Sequence, residues 1–195
     1  MTRFVFTTAT TLDGFLADPE HSLEWLFVVD GGHESLDEMA DFVSGVGVVV
    51  EGSSTYRWVV DNEEMVAHPE KWTEFYGTKK TVVFSSRPED LPRVPGADVT
   101  FVSGPVADHL DTILTAAAGA DVWIVGGGNL AAQFAAVGRL DELRLSIAPV
   151  LLGSGAPLFT GRLESDRLTL TETHQVGQFV SAVYQVAGKA SPVVA

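Results

Sequence analysis

Residues 122–131, Val-Trp-Ile-Val-Gly-Gly-Gly-Asn-Leu-Ala, constrain this chain more than any other stretch. A short apolar run that stops at glycine reads as a buried strand, and residues 130–137, Leu-Ala-Ala-Gln-Phe-Ala-Ala-Val, read as a helix. Strand, glycine turn and helix in succession suit an anion. Glycine lets the backbone come close, while the first helical N–H groups and the positive end of the dipole point at the ligand. An ordinary tight turn would use the same glycines. The spacing Gly126-x-Gly128-x-x-Ala131 also fits the dinucleotide fingerprint. It falls late in the chain, however, with no clear acidic ribose partner about 20 residues further on, which disfavours a Rossmann domain.

Charge narrows the ligand. With 12 Lys+Arg against 26 Asp+Glu the formal charge is −14, too acidic for a nucleic-acid surface, so any anion must be held by local geometry. The 195 residues, 46% apolar, suffice for one well-filled core. A single domain over residues 1–188 is expected, followed by a flexible tail at 189–195. Cysteine is absent, which excludes disulfides, thiolate zinc sites and thiol nucleophiles. The apolar stretch in residues 1–7 is too short for a signal peptide, and no apolar run approaches the ~18 residues of a membrane helix. A cytoplasmic protein with no membrane partner is therefore expected. His21, His33, His68, His109 and His174 are scattered without ligand spacing, so no metal is expected.

Along the chain, strands and helices alternate. Residues 3–9 are β-rich and run into Asp13-Gly14, a turn signal. Residues 35–43 have apolar positions at helical spacing, with Ser35 and Glu38 placed as a capping box. Buried strands follow at 45–51, 81–84 and 99–102, and a helix at 106–118. After the glycine stretch come a strand at 142–148 and two more at 168–176 and 179–186, the last pair joined by Gly177-Gln178 as a hairpin. This order predicts an α/β fold of three layers, αβα, with a mixed, mostly parallel central sheet and a C-terminal antiparallel hairpin.

Three strand ends carry chemistry that suits anions: Gly52-Ser53-Ser54-Thr55, Ser85-Ser86-Arg87 and Gly126-Gly127-Gly128. In an open parallel sheet the strand carboxyl ends share one edge, and ligands collect there. Three such junctions on one edge suit a ligand with several phosphates, such as a dinucleotide.

Residues 9–17, 52–56, 85–88 and 125–128, in that order and spacing, resemble the motifs of the dihydrofolate-reductase-like superfamily. Within it, residues 141–155, Asp-Glu-Leu-Arg-Leu-Ser-Ile-Ala-Pro-Val-Leu-Leu-Gly-Ser-Gly, are similar to the C-terminal reductase domain of the riboflavin-biosynthesis protein RibD. The resemblance covers nearly the whole chain and implies a reductase that uses NADPH, with NADH as the alternative. It places Ala9 and Leu16 at the nicotinamide, Asp13 at the start of the active-site loop, and Gly52 to Thr55 at one pyrophosphate-binding helix start. Val125, Gly126, Gly127, Gly128, Asn129 and Leu130 form the other helix start, with a cis peptide between Gly126 and Gly127. Ser85, Ser86 and Arg87 fall around the ribose and its 2′-phosphate, and Ser146 faces the substrate.

There are departures. The family's usual Gly-Arg-x-Thr-Tyr is here Gly52-Ser53-Ser54-Thr55-Tyr56, so an arginine that meets the 2′-phosphate is replaced by Ser53. Arg87, helped by Lys79, Lys80 or Arg57, is the expected compensation. Glu51 stands where an apolar residue is usual, and would repel phosphate unless it points away or pairs with Arg57. Asn129 replaces a position that is often basic. Trp25, just beyond the active-site loop, is equally placed to fill a core or to roof a planar substrate.

The function expected is hydride transfer from NADPH or NADH to a C=N or C=O of a small, planar, pterin- or pyrimidine-like heterocycle, with Asp13, Trp25 and Ser146 nearest the chemistry. The alternative is a catalytically degenerate module that binds a nucleotide or flavin. The resemblance also raises a homodimer, formed through the terminal strands or the segment at 148–153.

Overall fold

In the computed structural model, residues 1–31 and 39–188 are described. The capping pair expected at Ser35 and Glu38, and the tail at 189–195, lie outside them, although residues 39–44 are helical. The strands are β1 (Phe4–Thr11), β2 (Phe15–Ala17), β3 (Val46–Gly52), β4 (Lys80–Phe84), β5 (Val99–Val102), β6 (Asp121–Gly126), β7 (Glu142–Ala148), β8 (Ala156–Pro157), β9 (Leu168–Val176) and β10 (Phe179–Val186). The helices are α1 (Glu24–Phe27), α2 (Ser53–Asn62), α3 (Glu70–Tyr76), α4 (Leu110–Ala117) and α5 (Gly128–Ala136).

Eight strands form one sheet in the order β5-β4-β3-β6-β1-β7-β10-β9. The first six pair in parallel. The hairpin β9–β10 then pairs antiparallel onto β7, turning at Gly177-Gln178 as the sequence predicts. A small second sheet joins β2 to β8. Neither it nor α3 was legible in advance. The two paired segments are three and two residues long, and α3 starts at Pro69 without a side-chain cap.

The central strands are buried on both faces, so alternate residues enter two different cores. On one face Phe4, Phe6, Val48, Val50, Val82 and Ile124 pack with Ile113 and Ala117 of α4 and Leu130 and Phe134 of α5. On the other, Val49, Val83 and Trp123 pack with Tyr56, Val59 and Val60 of α2 and Trp72 and Tyr76 of α3. This is the expected three-layer αβα arrangement. At the amino ends of the central strands, the Arg3 guanidinium donates to Asp121 on β6 and to Glu142 on β7.

Candidate functional site

Because β4, β3, β6, β1 and β7 are parallel, their carboxyl ends lie along one edge. There β3 runs into α2 and β6 into α5, and Glu51 and Gly126 are register partners, so the two helix starts lie side by side. A Cβ on Gly126 would come within 2.9 Å of the Thr55 hydroxyl, and one on Gly128 within 2.4 Å of the Pro157 and Leu158 carbonyls. Those glycines are required by close packing. The caps differ: Gly52 and Gly127 are extended, neither helix has a side-chain cap, and nothing lies within 4 Å of where their Cβ atoms would stand. Open space at two uncapped helix starts fits a pyrophosphate. The Gly126–Gly127 peptide is cis.

Beside α2 lies a cavity of about 680 Å³. It joins Ser53 and Ser54 of one junction with Ser85, Ser86 and Arg87 of another. The Ser85 hydroxyl accepts the Arg87 backbone N–H at 3.0 Å, which shapes that turn. Glu20, His21, Arg57, Trp58, Asp61, Asn62, Asp90 and Leu91 complete the lining; of these, only Arg57 was drawn to this site by the sequence. The signal was present: positions 53/54, 57/58 and 61/62 repeat at helical spacing opposite the buried Tyr56, Val59 and Val60. Gly126 to Leu130 do not line this cavity; Gly126 packs instead against Thr55 of α2. Asn129 is engaged along its own helix, accepting from Gln133 at 2.7 Å.

One expectation about charge is corrected and one open alternative is decided. Lys80 opens β4, so Lys79 and Lys80 lie at the far end of that strand, roughly 16 Å from Ser85 at ~3.3 Å per residue. Glu51 shares the face of Val49 and is fully buried in the α2–α3 core rather than at the phosphate edge. The Tyr76 hydroxyl donates to one Glu51 oxygen at 3.3 Å, and the other oxygen has no partner. Burial pushes its carboxyl up to about 8. Arg57 is not its partner; it donates instead to the Asp90 carbonyl at 2.9 Å.

The substrate-side residues lie along β1, β7 and their neighbours. Ala9 pairs with Ser146, and Ser146 with Ser181, giving a row of small side chains across three strands. Thr7 pairs with Arg144 in the next row, and the Thr7 hydroxyl is enclosed without a partner. Leu16 sits in β2 and packs on the α4–α5 core. Trp25 is half-buried in α1, its indole N–H enclosed and unpartnered. The Asp13 carboxylate accepts from the Thr11 hydroxyl and from the Gly153 N–H, the latter at 2.7 Å. Those bonds, the hydroxyl's first, hold it below the usual carboxylate range. It therefore braces the β1–β2 turn against the loop before β8. Among the described residues no group of three His, Asp or Glu is placed to hold a metal ion, and no helix is long and apolar enough to cross a membrane.

A family model described as the RibD C-terminal domain matches residues 3–181. The chain belongs to that family. It is 31% identical over 182 residues to the uncharacterised protein YwjB of Bacillus subtilis (strain 168), covering 93% of this chain and 97% of that one. Among solved structures it is similar to a putative riboflavin biosynthesis protein from Shewanella sp. PV-4, at 24% identity and a TM-score of 0.71, covering 95% and 99% of the two chains. It also resembles Enterococcus faecalis dihydrofolate reductase, solved with NADP(H), at 14% identity and a TM-score of 0.61, covering 96% and 97%. The RibD-like, dihydrofolate-reductase-like fold read from the motifs is thereby established.

Proposed function

We propose that this family member is an NAD(P)H-dependent reductase acting on a small planar heterocycle. The observation that carries the reading is the pair of uncapped helix starts at β3 and β6, one of them bordering the serine- and arginine-lined cavity. In this reading the first-turn N–H groups of α2 and α5 hold the pyrophosphate, and Ser85, Ser86 and Arg87 hold the adenosine end. When bound, the dihydronicotinamide supplies the hydride. Ala9 and Leu16 position the carboxamide by their backbone. The low row Ala9, Ser146 and Ser181 gives a flat ring room against the sheet, with hydroxyls at its edge. Trp25 covers it from α1. Asp13, already ionised and doubly bonded, does not deliver the proton, which comes from water.

Titration with NADPH and NADH tests this. Binding below millimolar by either supports it, and a folded protein that binds neither overturns it. Tight binding without turnover of any pterin or pyrimidine would favour a module that binds a nucleotide without catalysis.

A further inference from the structure

We propose that the Asp90 carboxylate sets the balance between NADPH and NADH at this site by competing with a 2′-phosphate for Arg87, beside an Arg57 held by the same residue's backbone carbonyl; the inference rests on the dinucleotide reading above. Among the described residues Arg57 and Arg87 are the permanent cations lining the cavity, against the carboxylates of Glu20, Asp61 and Asp90. Two positive charges therefore face three negative ones before any ligand arrives. Both guanidiniums converge on one residue: Arg57 Nη2 donates to the Asp90 carbonyl at 2.9 Å, and Arg87 Nε lies 3.6 Å from the Asp90 carboxylate. Arg57 stands one helical turn beyond Ser53 on the cavity face of α2, so it supplies from the next turn the charge that Ser53 lacks.

The Arg87–Asp90 pair is open to solvent, with side chains 77% and 54% exposed, and such a pair is weakly held. A phosphate with two or more free oxygens displaces it from the guanidinium, since bidentate arginine–phosphate bonds are among the stronger charge-assisted contacts. Displacement leaves the Asp90 carboxylate beside the phosphate, and that repulsion subtracts from the binding of NADPH alone. A ribose 2′-hydroxyl, in contrast, leaves the ion pair intact and can donate to the same carboxylate, the role an acidic residue plays toward NADH in other dinucleotide sites. Asp90 thus penalises one cofactor and accommodates the other, while Arg57 and Arg87 act in the opposite sense.

The test is affinity, read from the fluorescence of Trp58 in the cavity wall and from calorimetry. NADPH and NADH are titrated into the wild type and into Asp90→Asn, Arg57→Gln and Arg87→Gln. All three positions are exposed, so these variants are expected to fold, which far-UV circular dichroism checks. Asp90→Asn is expected to tighten NADPH about 5- to 10-fold and to leave NADH within about 2-fold or weaken it, an effect that shrinks at high salt. Each arginine variant is expected to weaken NADPH about 10-fold and NADH by a clearly smaller factor. Adenosine 2′,5′-bisphosphate against adenosine 5′-monophosphate repeats the comparison without the nicotinamide. If the wild type binds the dinucleotides and Asp90→Asn leaves the ratio of their dissociation constants unchanged, this inference is overturned and the reductase reading stands. If the folded wild type binds neither, the dinucleotide reading fails, and this inference with it.

Discussion

At the scale of single residues, Glu51 and the cap glycines give opposite kinds of test. Glu51 is a carboxyl in an aromatic core, pushed up to about 8 from an ordinary 4.5 by burial, with the Tyr76 hydrogen bond opposing. The fold therefore holds its proton more tightly than the unfolded chain does. Its contribution to stability is full below about pH 4.5, falls as the pH rises toward 8, and is lost above that. Glu51→Gln keeps a partner for Tyr76 and removes the charge. Urea melts are expected to match wild type at pH 5 and to favour the variant by on the order of 3 kcal/mol at pH 9. A wild type equally stable at both values would contradict this. The glycines separate packing from ligand space. Gly128→Ala drives a methyl into two backbone carbonyls and is expected to cost about 2–3 kcal/mol, seen as a lower Tm. Gly52→Ala meets nothing in the protein, so its stability is expected to fall by no more than a cap effect of about 1 kcal/mol, with a correspondingly small change in Tm. Its dinucleotide affinity is expected to fall at least about 10-fold, because the added methyl stands where phosphate would.

Elements divide into those whose ends are marked locally and those that are not. The central strands of the large sheet are apolar runs, and the β9–β10 turn is two residues of turn chemistry, so both are legible, whereas β2 and β8 are too short to be. Helix α2 was legible as a helix, but its cavity face was not, because polar residues at helical spacing mark an ordinary solvated face as readily as a binding wall. Only the turn at Ser85–Arg87, brought across by β4, makes Arg57, Trp58 and Asp61 part of a site. The amino ends of β6, β1 and β7 are stitched by Arg3. Burial alone would raise the Asp121 carboxyl, but the Arg3 hydrogen bonds outweigh it and hold it below the ordinary range. Arg3→Gln also leaves Glu142, only 8% exposed, with Arg144 as its remaining partner. It is expected to cost about 1–2 kcal/mol near pH 7 and less as the pH falls and Asp121 protonates, which melts at pH 7 and pH 3.5 would show.

Over the whole molecule, one sheet divides the apolar side chains into two cores that share strands β3, β4 and β6. Unfolding is accordingly expected to be a single transition. The buried tryptophans Trp72 and Trp123 report one core, whereas Phe134 fills the other. Phe134→Ala is expected to lower the stability read by tryptophan fluorescence by about 3–5 kcal/mol, in step with far-UV circular dichroism. Cores that melt independently would leave the tryptophan midpoint in place. From sequence alone came most of the strand and helix order, the hairpin and the glycine-rich helix starts, because each depends on residues within about ten positions of one another, and the family resemblance, because it rests on the order of such local motifs along the chain. Tertiary structure decided which helix covers which face, that Glu51 turns into a core, and that Lys79 and Lys80 lie at the wrong end of β4. It also decided that the Asp13 carboxylate bonds to Gly153 and that Asp90 meets two arginines. The reason is physical: a side chain's direction follows from its own strand or helix, but partners such as Tyr76 for Glu51, Asp90 for Arg57 and Gly153 for Asp13 come from segments 25 to 140 positions away in the chain, joined only when the sheet assembles.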